Sequence, residues 1–221
     1  MKKKLIRFQE NETFHNLFQL SYHQLIHEGF PLCGKWRREY FHNENPIVLE
    51  LGCGRGEYTT GLALQNPDKN YIGMDIKGAR LWRGCKTAIE KQLDNVAFIR
   101  SKVNFIEHFF EENETDEVWI PFPDPQPQKS RVRKRLTHPD FQERYKRIMK
   151  TGGIIHLKTD DHALYRYTCE IVEGQKLEVL CASEDIYHDK CDQEVISIRT
   201  FYEEKFLEEG KKINYLKYRL R

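Results

Sequence analysis

The stretch Ile47-Val48-Leu49-Glu50-Leu51-Gly52-Cys53-Gly54-Arg55-Gly56-Glu57 sets the frame for the rest of the chain. Ile47 to Leu51 are apolar except for Glu50, and glycines follow at alternate positions. A short apolar run that ends in glycines reads as a buried strand entering a tight turn. Beyond Glu57 the apolar residues Leu62, Ala63 and Leu64 change the pattern, so the expected order is strand, glycine turn, helix. Glycines let the backbone bend sharply and leave room for a ligand against the main chain. In a parallel α/β sheet such a turn lies at the carboxyl edge, where nucleotide-type ligands bind.

The spacing narrows the ligand. A dinucleotide fingerprint is G-x-G-x-x-G, whereas this turn is G-x-G-x-G, with Glu50 two residues before the first glycine. A carboxylate there repels a pyrophosphate and suits a cation. S-adenosylmethionine carries a sulfonium and an ammonium group, and the stretch resembles the first motif of class I methyltransferases. The bland alternative, a strand-to-helix turn with a half-exposed glutamate, needs no ligand.

Composition excludes some classes. With 221 residues the chain is long enough for a full core. Charged residues make up 32% and the net charge is only +2, so charge placement matters more than its sum. No apolar run reaches the ~18 residues of a membrane span, and the basic start Met1-Lys2-Lys3-Lys4 is not followed by a signal-type segment. A cytoplasmic protein is expected. The six cysteines lack any C-x-x-C pair, which predicts reduced thiols and no metal site.

Residues 1–10 read as a mobile basic tail. Asn11 is expected to cap a helix reaching about Glu28, with a short helix to about His42, giving a helical cap over residues 1–45. The main domain is then 46–221. In it, Tyr71 to Asp75, Val96 to Arg100, Glu117 to Phe122, Ile154 to Thr159, Leu177 to Cys181 and Ile213 to Leu220 read as further strands, most of them separated by helices. This predicts an α/β fold: a doubly wound, mostly parallel seven-stranded sheet with an antiparallel edge strand. Asp75 ends its strand about 20 residues past the glycine turn, where a carboxylate commonly holds ribose hydroxyls. The alternative is a cap on the next helix.

Two further stretches bear on chemistry. In Pro123-Asp124-Pro125 the prolines fix the backbone around a carboxylate at the same edge as the glycine turn. Lys129, Arg131, Arg133, Lys134 and Arg135 follow at once. Such a run is usually a solvated face, but beside an active site it suits phosphate, hence nucleic acid.

The segments LELGCGRGEY, YIGMD, FPDP with the basic run and KRLTHPDF, GGIIHLKTDD and TFYEEKF occur in this order. Together they resemble the bacterial tRNA (guanine-N7)-methyltransferase family, over about residues 34–221. The resemblance implies methyl transfer from S-adenosylmethionine to a guanine in the variable loop of tRNA; the sequence leaves open whether the chain acts as a monomer or homodimer. It implies cofactor contacts at Glu50, Gly52, Gly54, Asp75, Asp124 and position 102, with Asp124 also catalytic. It implies substrate contacts at Gln128, Lys129, Asp160, Thr200, Phe201, Tyr202 and Glu203. Three positions depart from the family pattern. Gln126 stands where tryptophan is common, Gln128 where lysine is usual with Lys129 beside it, and Lys102 where an acid or amide is usual. The adenine contact there falls to Lys102, Asn104 or the backbone of Ser101 to Val103.

Some of these residues have structural readings of their own. Thr200-x-x-Glu203 is a capping box, compatible with substrate contact, and Asp160 can cap the helix that follows. Other readings are a small-molecule or protein methyltransferase, a nicotinamide dehydrogenase and a non-catalytic RNA-binding subunit. The first leaves the basic run unexplained. Glu50 and the glycine spacing disfavour the second. The intact glycine turn with Asp75 speaks against the third.

Overall fold

Side chains that alternate between two faces build the core. In the computed structural model, which describes residues 2–189 and 193–221, β2 (Ile47–Leu51) is wholly buried. Ile47, Leu49 and Leu51 join one apolar layer and Val48 the other. The same period of two runs through β3 (Asn70–Asp75), β4 (Val96–Arg100), β5 (Thr115–Pro121) and β6 (Met149–Thr159). A parallel sheet covered on both faces requires strands of this kind.

The strands form one sheet in the order β1-β4-β3-β2-β5-β6-β8-β7. Here β1 is Leu17–Phe18, β7 is Glu178–Ser183 and β8 is Asn214–Arg219. Seven of these correspond to the expected strands, and the eighth is the two-residue β1 beside β4. The antiparallel edge forms because β8 returns between β6 and β7 and runs against both. Strand order reverses between β2 and β5, and ligands of doubly wound sheets bind at the carboxyl ends of such a switch point.

The helices sort by face. α3 (Glu57–Gln65) and α4 (Gly78–Glu90) pack Tyr58, Leu62, Leu81 and Cys85 against the Val48 layer. α5 (Pro139–Ile148) and α6 (His162–Gly174) pack Phe141, Tyr145 and Leu164 on the other. α7 (Ile186–Asp189), α8 (Gln193–Ser197) and α9 (Phe201–Glu208) complete the Val48 side.

The N-terminal expectations need correction. Residues Lys2–Asn11 form a helix, α1, docked on α4, and Asn11 ends it rather than starting the next. There Asn11 is buried and its Nδ2 donates to the Gly78 carbonyl at 2.9 Å. The predicted long helix is instead β1 and α2 (Tyr22–His27), which Ser21 caps with a complete capping box. Phe18 explains the break, because its ring packs edge-on against Phe30, Trp36 and Tyr40. Tertiary burial overrides the helical spacing there. Cys33, Cys53, Cys85 and Cys169 are free thiols, but Cys181 is disulfide-bonded, which departs from the expectation of reduced thiols throughout. Cys191 lies outside the described residues. No helix among the described residues is long and apolar enough to cross a membrane.

Candidate active site

The glycine turn follows β2 as expected. Gly52, Gly54 and Gly56 all have positive φ, at 74°, 55° and 66°. Their surroundings divide them by role. A Cβ on Gly52 would meet no protein atom within 4 Å, whereas one on Gly56 would come within 2.6 Å of the Phe98 ring. Gly56 is therefore small for packing, and Gly52 borders open space. That space is a cavity of about 600 Å³ bounded by Glu50, Gly52, Gly54, Phe122, Thr200 and Tyr202. A second hollow of about 360 Å³ adjoins it through Gly52 and Phe122, and Asp75, Lys102, Asn104, Asp124 and Lys134 line it. Together they have the size of a small-molecule cofactor site.

Glu50 lies on the α3 side of the sheet. Its Oε2 accepts from the Thr59 backbone N–H at 2.7 Å and from the Thr59 hydroxyl. Burial pushes its carboxyl group up to about 8, against the lowering effect of these hydrogen bonds. A buried carboxyl of this kind favours a cation beside it, because a positive charge recovers the energy lost on desolvation. Asp75 spans the turn: Oδ2 accepts from Gly54 N at 2.9 Å and Oδ1 from Lys77 N at 2.7 Å. So the capping geometry read from the sequence exists, and the same carboxylate also braces the glycine loop. Lys102 is exposed, in extended backbone just before the 3-10 turn Val103–His108.

The loop after β5 is bent more sharply than the prolines alone predict. Phe122 and Gln126 adopt positive φ, at 49° and 45°, a region that is strained for side chains of this size. Asp124 between them is exposed, and its Oδ1 accepts from Gln126 N at 3.0 Å. The loop is held from outside: Phe122 N donates to the Lys158 carbonyl at 2.7 Å. Arg135 donates to the Pro125 carbonyl at 3.0 Å and lies over the Tyr167 ring.

This splits the basic run. Arg135 is a loop brace, and Arg133 is paired with Asp140 at 2.7 Å. Lys129, Arg131 and Lys134 are exposed without an ion-pair partner among the described residues, and Gln128 is exposed just before them. Only part of the run is available to an anion.

The substrate-side residues of the resemblance also divide. Thr200 caps α9 in a reciprocal box with Glu203 and borders the larger cavity. Phe201 and Tyr202 are 50% and 44% exposed. They face the glycine turn and α4, since Arg55 lies over the Phe201 ring and Arg80 donates to the Tyr202 hydroxyl at 3.2 Å. Glu203 departs from expectation. It is 0% exposed, and its Oε1 takes the Lys158 ammonium at 2.6 Å and the Tyr187 hydroxyl at 2.6 Å. It serves the fold and is closed to substrate here. Asp160 lies at the end of β6, on the same rim but outside both hollows, paired with Lys211 at 2.8 Å.

Lys158 escaped the sequence reading. Its side chain is 1% exposed and reaches Tyr58 OH at 2.6 Å and the Val195 carbonyl at 2.9 Å, besides Glu203. A lysine inside the apolar run of a central strand was the available signal, because buried lysines are almost always paired. Nothing local marks Arg135 as a brace.

Known proteins resemble this chain in sequence and in fold. The model of a putative methyltransferase family matches residues 44–216. The tRNA (guanine-N(7)-)-methyltransferase of Christiangramia forsetii is 52% identical over 221 residues, which cover all of this chain and 99% of that one. The enzyme of the same name from Bacteroides thetaiotaomicron is 44% identical over 219 residues, covering 99% and 86%. Among solved structures, the 16S rRNA methyltransferase KamB aligns with a TM-score of 0.62 at 14% identity, over 84% of this chain and 91% of that one. A SAM-dependent methyltransferase from Aquifex aeolicus aligns at 0.54 and 14%, over 91% and 100%. These two likenesses concern the fold alone. With the family model covering most of its length and full-length relatives at this identity, the chain belongs to the tRNA (guanine-N7)-methyltransferase family.

Proposed function

We propose that this chain transfers a methyl group from S-adenosylmethionine to N7 of a guanine in the variable loop of tRNA, as a cytoplasmic RNA-modifying enzyme. The observation that supports this best is the shared rim. The open Gly52 turn with Glu50 adjoins the hollow of Asp75 and Asp124, and the exposed cations Lys129, Arg131 and Lys134 follow on the same loop.

The residues present fit the cofactor. Gly52 leaves the space a ligand needs, Glu50 offers a buried carboxyl to a cationic group, and Asp75 ends β3 where ribose hydroxyls are held. When bound, S-adenosylmethionine supplies an electrophilic methyl group on a positively charged sulfur. Gly54 would contribute backbone to this end of the site, and Lys102 lines the adjoining hollow, which would take the adenosine.

Guanine N7 has a lone pair and no proton, and it lies on the major-groove edge. No general base is needed for its attack, so the protein's work is placement. Asp124 is the catalytic residue of this reading. Its Oδ1 is committed to Gln126 N, and Oδ2 makes no hydrogen bond among the described residues. That oxygen is free to hold the guanine N1–H and amino edge, or to offset positive charge growing on the purine. Gln128 and Lys129 meet the RNA beside it. Thr200 and Tyr202 border the larger cavity with Phe201 between them in sequence, and Asp160 stands farther along the rim.

The test is transfer of labelled methyl from S-adenosylmethionine to purified, unmodified tRNA, followed by reduction and aniline scission, which cuts at N7-methylguanine. One cut within the variable loop is the expected result. Label without scission, or no label, contradicts the reading.

A further inference from the structure

The stretch that reads as a basic tail becomes, as α1, one wall of a groove. Arg7 lies over the Trp82 ring of α4, 4.7 Å from its centroid, and Lys86 lies 5.1 Å from the same ring. The wall is fastened: Trp82 Nε1 donates to the Glu10 carboxylate, and Asn11 bonds the Gly78 carbonyl at the start of α4. Arg80, Arg83 and Thr87 follow at spacings of three and four, so they share one face of α4. Arg7, Arg80, Trp82 and Arg83 border the same cavity as Glu50 and Gly52.

Four arginines, Arg7, Arg55, Arg80 and Arg83, border this cavity against two glutamates, Glu50 and Glu57. Among the described residues no carboxylate forms an ion pair with Arg7 or Arg80, and Arg83 meets Glu90 at 3.7 Å in an exposed pair. Clustered like charges repel, and a polyanion relieves that repulsion. α4 covers the Val48 face of the sheet, whereas the 129–135 run leads into α5 on the other face. The cofactor cavity therefore has a basic surface contributed from each face.

We infer that the α1–α4 groove, through Arg7, Arg80 and Arg83, binds the phosphodiester backbone of the same tRNA that presents its guanine at Asp124. This rests on the proposed function. The expected consequence is a grip from two flanks, with the 129–135 run and the α1–α4 groove contributing separately to affinity.

The test is the variant Arg7→Glu/Arg83→Glu in the full chain. Affinity for unmodified tRNA is measured across a salt series, and S-adenosylhomocysteine affinity by calorimetry. The reference is Lys35→Glu/Arg38→Glu, which makes the same charge change beside the start of β2, on the amino-terminal side of the sheet. The groove variant should bind tRNA roughly tenfold more weakly than the reference, with a salt slope shallower by about 2, while S-adenosylhomocysteine affinity and melting temperature stay unchanged. Equal tRNA affinity and slope in the two variants, with a wild type that binds and methylates tRNA, overturns the groove alone. A wild type that neither binds nor methylates tRNA overturns the functional reading, and the groove with it. Loss of S-adenosylhomocysteine binding in the groove variant also overturns it, because the arginines then belong to the cofactor site.

Discussion

The ends of β2 and β5 face each other across one cavity, yet they are built on opposite terms. At the β2 end, glycines take the positive φ angles without strain, Glu50 is buried, and its partners lie in the adjacent first turn of α3. At the β5 end, Phe122 and Gln126 take positive φ although neither is glycine, and Asp124 is exposed. Each such residue costs on the order of 1–3 kcal/mol, and distant groups must offset it. Those groups are Arg135 and β6, whose Lys158 fixes Phe122 through its carbonyl and α9 through its ammonium. The first half of the site is made by local sequence, and the second is imposed by tertiary structure. Removing a distant brace should therefore damage the β5 side and spare cofactor binding.

The largest effect should come from the hub. Glu203→Ala leaves the Lys158 ammonium buried without its counter-ion, which should lower stability by about 3–5 kcal/mol, read by urea denaturation. Lys158→Met/Glu203→Leu should recover most of the loss. Next, Asp124→Ala should reduce kcat for tRNA methylation by roughly 10²- to 10³-fold, with melting temperature unchanged. Then Arg135→Ala, which frees the strained loop, should lower kcat by about 10- to 100-fold and leave S-adenosylhomocysteine affinity intact. A fall in that affinity would show that the two ends are not independent.

The smallest effect concerns Glu50. Burial raises its carboxyl to about 8 in the free protein, and a bound cation favours ionisation, so binding releases a proton. Affinity for S-adenosylhomocysteine should then rise with pH, by at most about tenfold per unit between about pH 6 and 7.5, and Glu50→Gln should flatten the rise. The same shift affects folding. A carboxyl raised on folding gives stability that is full below the ordinary carboxylate range and is lost as pH climbs to about 8.

The contrast also explains what was legible in the sequence. Strand, turn and helix at Ile47 to Glu57 are encoded by neighbouring residues, so the glycine turn and the carboxyl rim could be read directly. The N-terminal stretch could not, because Phe18 answers to Phe30, Trp36 and Tyr40 rather than to its own helical spacing. Glu203 shows the limit of a motif. Its place in a capping box was readable from Thr-x-x-Glu, but its burial against Lys158 depends on a partner 45 positions away, in another strand. The basic run likewise looks uniform in sequence, and only the fold distinguishes Arg135 the brace and Arg133 the partner of Asp140 from the exposed Lys129, Arg131 and Lys134, which have no ion-pair partner among the described residues.

The most direct test replaces the nucleophilic atom itself. A tRNA transcript made with 7-deazaguanosine has a C–H where N7 should be, and keeps the pairing edge of every guanine. The expected result is that this transcript binds the protein about as well as the ordinary one and accepts no methyl from S-adenosylmethionine. Methyl incorporation into the 7-deaza transcript at a rate near that of the ordinary one would contradict N7 as the acceptor, and with it the role given to Asp124.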